Sequence, residues 1–115
     1  MRMLPFLPRA ILTACLMIYS AEALAELHMV GLGNQTCGTW IANPPGTSGV
    51  GQLYQQWAFG FVSGVSFADP SHDPLSNVDG ATVTAWFDDY CRDNATVRLV
   101  DAATAFVRAH QPAKN

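Results

Sequence analysis

Metal-type ligands gather in one stretch of this chain: Asp69, His72, Asp73, Asn77 and Asp79. A calcium loop of the helix-loop-helix kind would place its obligatory glycine at Gly80. That alignment puts Leu75 at the first ligand position and Trp86 where a bidentate glutamate is needed, so the oxygen donors are missing. Aspartate, asparagine and Asp-Pro are also ordinary turn and cap residues. The expectation is that no metal binds here. A hydrolase built on His72 and Asp73 stays open as a third class. No H-E-x-x-H, C-x-x-C or G-x-S-x-G accompanies the pair. Ser63 falls in Val62-Ser63-Gly64, within an apolar helical run and not at a strand-to-helix elbow. His28 belongs to an N-terminal arm and His110 to a helix end, where an imidazole serves the dipole. The remaining nucleophile candidates are Cys37 and Cys91. The expectation is a protein that is not an enzyme and uses no cofactor.

The cysteines lead to the question of address. Met1 to Ala25 has the form of a secretory signal peptide. Arg2 and Arg9 make its basic region, Ala10 to Tyr19 its short apolar region, and Ala23-Leu24-Ala25 its cleavage site. The apolar run is too short to span a bilayer, so no stable membrane anchor remains after cleavage. A lipoprotein reading competes, with Leu12-Thr13-Ala14-Cys15 as lipobox and Cys15 as the lipidated residue. Cleavage after Ala25 removes Cys15 and leaves Cys37 and Cys91. A lone pair in a small exported domain reads as a disulfide. Closing a loop 54 residues long stabilises a fold by ~4 kcal/mol in the chain-entropy model. The expected localisation is periplasmic or secreted.

Composition narrows the class. The chain has 115 residues, enough for one domain, with 50% apolar and 13% charged residues. That balance excludes disorder. Removing 1–25 leaves four basic and eight acidic residues, a net charge of −4. Lys114 is the only lysine and the arginines are scattered, which excludes a nucleic-acid partner.

The positioning elements follow from periodicity. Val83, Trp86, Phe87, Tyr90 and Cys91 fall at i, i+3, i+4, i+7 and i+8, one face of a helix capped by Asp79. Tyr54, Trp57, Ala58, Phe61 and Val62 repeat that spacing on a helix from about Gly51 to Ser63. Gly60 and Gly64 inside or beside that helix suggest a close crossing with a second helix. Leu99, Val100, Ala103, Phe106 and Val107 mark a last helix over about Ala95 to His110, with Asn94 as its expected cap. Ala42 to Gly51 and Asp69 to Val78 are loops punctuated by proline and glycine. Glu26 to Gln35 reads as an extended or mobile arm, and Gln111 to Asn115 as a tail. The predicted fold is all-α. It is a small three-helix orthogonal bundle spanning 26–115, with the segment Thr36 to Ile41 stapled to the middle helix by Cys37 and Cys91.

Aromatic residues are abundant for so small a domain. Core burial is the plain reading of each. Phe59 and Phe67 lie off the Trp57 stripe, however, so Trp57, Phe59, Phe61 and Phe67 are the candidate protein-binding residues. Asn34-Gln35-Thr36 and Asn94-Ala95-Thr96 match the glycosylation sequon, a pattern that arises often by chance.

Two resemblances bear on function. Thr36-Cys37, the aromatic helix, and Tyr90-Cys91-Arg92-Asp93-Asn94 before a last helix resemble small exported acid-stress chaperones of the HdeA/HdeB type. The resemblance spans Thr36 to about Phe106. It implies a periplasmic helical protein that loosens in acid and holds unfolding clients on apolar surface. Phe59-Gly60-Phe61-Val62-Ser63-Gly64, with Tyr90 to Asn94 and Leu99 to Ala103, is also similar to periplasmic immunity proteins of type VI secretion, of the Tai kind. That similarity implies a partner that is a secreted effector. The leading expectation is the chaperone, with lost packing near or below the reference aspartate pKa of about 3.9. The alternative is the immunity protein. Partners are other proteins in either case, a homodimer among them.

Overall fold

The computed structural model describes residues 28–112. The signal-peptide reading of 1–25, Cys15 and the end of the tail lie outside the described residues. Four helices make the domain: α1 (Cys37–Ala42), α2 (Gly49–Ala68), α3 (Gly80–Asp93) and α4 (Leu99–Ala109). Two single-turn 3-10 segments accompany them, Leu32–Asn34 before α1 and Pro70–His72 between α2 and α3. The described residues contain no strand, so the fold is all-α as expected. Among them no helix is long and apolar enough to cross a membrane. The three long helices are the three that periodicity marks. The stapled N-terminal segment proves to be a helix of its own.

The apolar stripes become the core. Tyr54, Ala58 and Val62 of α2, Val83, Phe87 and Cys91 of α3, and Leu99, Ala102, Ala103 and Phe106 of α4 are buried together. Cys37 and Trp40 of α1 complete the cluster. Burying a side chain the size of Phe87 contributes about 2 kcal/mol. Trp40 is wedged against Phe87 with ring centroids 5.0 Å apart. Its indole N–H donates to Asp88 Oδ1 at 2.7 Å, which gives the buried ring its one polar need. Cys37 and Cys91 form the disulfide with Cα atoms 4.7 Å apart, so α1 is covalently fixed to α3.

The helix ends show how the chain sets these lengths. Ser48 caps α2 by accepting from the Gly51 N–H at 3.1 Å, so α2 begins earlier than Gly51. It also runs past Ser63 to Ala68. Its stop is Asp69-Pro70, because a residue before proline is pushed out of the α region. Asp79 caps α3 as expected, accepting from the Thr82 N–H at 2.8 Å.

Asn94 does not cap the last helix. It closes α3 instead, its side-chain amide donating to the Tyr90 carbonyl at 2.8 Å. Residues 95–98 are occupied by an antiparallel bridge between Thr36 and Arg98. Across it, the Cys37 and Gly38 N–H groups donate to the Val97 and Ala95 carbonyls at 2.7 and 2.8 Å. In return the Leu99 N–H donates to the Gln35 carbonyl at 2.8 Å. The first N–H groups of α1 and α4 thus find backbone acceptors, and neither helix has a side-chain cap.

The glycines correct a second expectation. A Cβ at Gly60 or Gly64 would meet nothing within 4 Å, so no helix among the described residues crosses there. The close approaches lie elsewhere. Gly33 sits under the Trp57 ring, and its turn packs against α2 and α4, so the part of the expected arm from Leu32 onward belongs to the body of the domain. A Cβ on Gly51 would come within 2.6 Å of the Asn43 carbonyl oxygen. Gly51→Ala is therefore expected to destabilise the domain by about 1–3 kcal/mol through overpacking. Gly64→Ala is expected to stabilise it by about 1 kcal/mol through helix propensity. Urea midpoints measure both; shifts in the same direction would contradict the assignment.

Candidate protein-binding face

The recess between α2 and α3 is set by one aromatic and one glycine. Phe59 leaves the core stripe of α2 and lays its ring across the start of α3. A Cβ on Gly80 would stand 3.2 Å from Phe59 Cζ, so only glycine leaves the ring undisturbed. On one side of Phe59 lies a pocket of about 200 Å³, lined by Val62, Leu75, Val78 and Val83, with Ser63 and Asp79 at its polar edge. On the other side an open groove of about 540 Å³ runs along α3 over Gly80, Ala81, Thr84 and Ala85 to Asp88. Gln55 walls this groove and donates from Nε2 to Thr84 Oγ1 at 3.0 Å. Beyond Asp88 a smaller hollow lies between Ile41, Pro44 and Arg92.

The four aromatic candidates do not form one site. Phe59 is half-buried and lines both recesses. Trp57 and Phe61 stack on each other with centroids 5.5 Å apart, and Trp57 is held down over Gly33. Phe67 stands alone near the end of α2, 89% exposed. Leu53 on the same helix is 60% exposed and was not marked by the aromatic pattern. Its place opposite Tyr54 and Ala58 on the helical wheel is the signal that singles it out.

The cysteines and the His72 loop have structural partners. Cys37 and Cys91 are consumed by the disulfide. His72 pairs with Asp69 and not with Asp73, at 2.8 Å from Nδ1 to Oδ2. Ser71 donates to Asp69 Oδ1 at 2.7 Å and its hydroxyl lies 3.2 Å from the same His72 Nδ1. A relay uses the two ring nitrogens of histidine for two partners. Here both contacts fall on Nδ1, the geometry of a loop staple. Asp73 accepts from the Leu75 N–H at 2.8 Å, an Asx turn. Among the described residues no three His, Cys, Asp or Glu side chains are placed to hold a metal.

Charge is confined to the surface. None of the described polar or charged side chains is fully buried. The Ser71 hydroxyl, followed by His72, holds the Asp69 carboxyl below its ordinary value. The Thr82 hydroxyl and N–H do the same for Asp79. The Arg98 guanidinium, bonded to Asp101 at 2.9 and 3.2 Å, is raised by that pair. Each lowered carboxyl contributes stability above its unfolded value of about 3.9, and the contribution is lost as pH falls through the lower folded value. Asp79→Ala is therefore expected to lower the urea midpoint at pH 7, with the gap to wild type narrowing below about pH 3.9. A gap that stays constant with pH would contradict the cap's charge. Compared with protein families, curated proteins and solved structures, the chain has no match in any of the three.

Proposed function

We propose that this chain is an exported, non-enzymatic module that docks one folded protein partner in the groove between α2 and α3, in the manner of an immunity protein on a secreted effector. The observation that carries the reading is the groove of about 540 Å³ over Ala81 and Ala85, beside a pocket of about 200 Å³ under Phe59. Such a recess accepts a defined side chain from a folded partner, with Phe59 as the aromatic anchor of the contact. Export is supported by the Cys37–Cys91 bond, which suits an oxidising compartment, together with the signal-like pattern of 1–25. The immunity reading is preferred to an acid-triggered chaperone because, among the described residues, the core holds no carboxylate or histidine whose protonation in acid would open it. A disulfide and apolar burial do not depend on pH in that range. The chaperone reading is favoured by one observation, the exposure of Leu53 and Phe67 on an uncharged helix.

The test uses an effector-like enzyme encoded beside this chain, produced in an exported form. The chain is expected to relieve its toxicity and to bind it in a calorimeter. Ala85→Arg, which fills the groove from an exposed position, is expected to weaken binding by about 100-fold or more, a loss of the size found at interface centres. Its thermal midpoint should stay unchanged. If the chain neither binds nor relieves toxicity, but suppresses light scattering by an acid-unfolded test enzyme as its own near-UV circular dichroism fades, the chaperone reading replaces this one.

A further inference from the structure

The outward face of α2 carries Leu53, Gln56, Gly60, Gly64 and Phe67, all exposed. None of the 20 residues of α2 is Asp, Glu, Lys, Arg or His. A surface helix ordinarily covers its outer face with charge. Elsewhere the surface is acidic: the chain has nine acidic against six basic residues, and Asp69, Asp79, Asp89, Asp93 and Asp101 are all exposed. Two copies meeting through α3 would set carboxylates against carboxylates. Copies meeting through α2 bring no like charges together.

The spacing on this face is symmetric. Leu53 and Phe67 each stand seven residues from Gly60, about 10 Å along the axis on either side. They are 60% and 89% exposed. We infer that the outer face of α2 pairs with the same face of a second copy of this chain, antiparallel, about a two-fold axis at Gly60. In that arrangement each Leu53 meets the Phe67 of the other copy, the self-complementary contact that a two-fold interface requires. A contact with an unrelated protein would need no such symmetry. Gly60 and Gly64 fit the same arrangement. Among the described residues nothing lies within 4 Å of where their Cβ atoms would be, and each weakens the helix relative to alanine, yet both let a second backbone come close. A crossing of two helices this long covers less than the ~1,200 Å² of a stable interface, so the dimer forms in a concentration-dependent way.

Sedimentation velocity of the mature, oxidised chain over a wide concentration range tests the inference. The expected result is a monomer that passes to a dimer as concentration rises. Leu53→Glu and Phe67→Glu, both at exposed positions, are each expected to weaken dimerisation about tenfold or more, with unchanged circular dichroism. The double variant Leu53→Lys with Phe67→Glu is expected to dimerise again, now in a salt-sensitive way, because lysine and glutamate meet twice across the axis. A monomer at every concentration, or single variants that dimerise like the wild type, would overturn the interface. Singles that are monomeric with a double variant that is not rescued would overturn the two-fold pairing of residues 53 and 67.

Discussion

The joint between α1, α3 and the start of α4 is the constraint on which the domain depends. Cys91 of α3 is bonded to Cys37 in the first turn of α1. The same Cys37 gives its N–H to Val97, its neighbour Gly38 gives its own to Ala95, and Leu99 answers through Gln35. One covalent bond and three short backbone hydrogen bonds therefore fix three helix ends within a few residues of one another. Trp40, one turn further along α1, closes the joint by packing on Phe87 and donating to Asp88. α1 has only six residues, too few to be stable as an isolated helix. It exists because this joint supplies its caps and its packing.

α2 is the element least tied to that joint, and its surface differs accordingly. Its inner stripe reaches the core through Tyr54, Ala58 and Val62, and its flank supplies Phe59 to the groove over α3. Its outer face is exposed at Leu53, Gly60, Gly64 and Phe67 and carries no charge. Burial and exposed apolar surface thus fall in different parts of a small domain. The joint and the apolar core hold the shape, while the flank and outer face of α2 carry exposed apolar residues such as Leu53 and Phe67. The carboxylates that depart from their ordinary pKa, Asp69 and Asp79, act at the loop and cap between α2 and α3. They tune that edge and leave the core alone.

Much of this was legible in sequence because it is local. The spacing of Val83, Phe87 and Cys91, or of Tyr54, Ala58 and Val62, shows a buried face without reference to the rest of the chain. Asp79 was recognisable as a cap, since its partner Thr82 is three residues away. Asn94 looked like the same kind of cap, yet α4 starts later. Its first N–H, that of Leu99, is claimed by the Gln35 carbonyl some sixty positions earlier in the chain, and no local pattern records that. The glycines divide in the same way. Gly60 and Gly64 have the spacing of a helix crossing, but Gly33, Gly51 and Gly80 are the ones under a ring or a carbonyl. What lies opposite a glycine is a tertiary fact. Phe59 and Phe67 both lie off the core stripe; one lines a groove because α3 passes beneath it, and the other is 89% exposed.

Native-state amide hydrogen exchange at Cys37, Gly38 and Leu99 tests the central role of the joint most directly. If it is the element on which the fold depends, these three amides exchange only by global unfolding. They should show the same opening free energy as the Phe87 and Cys91 amides at the centre of α3, although they sit at helix ends that would otherwise fray. Exchange at the three sites by local opening, well ahead of the α3 core, would show that α1 is an appendage held by its disulfide alone and would contradict this assignment.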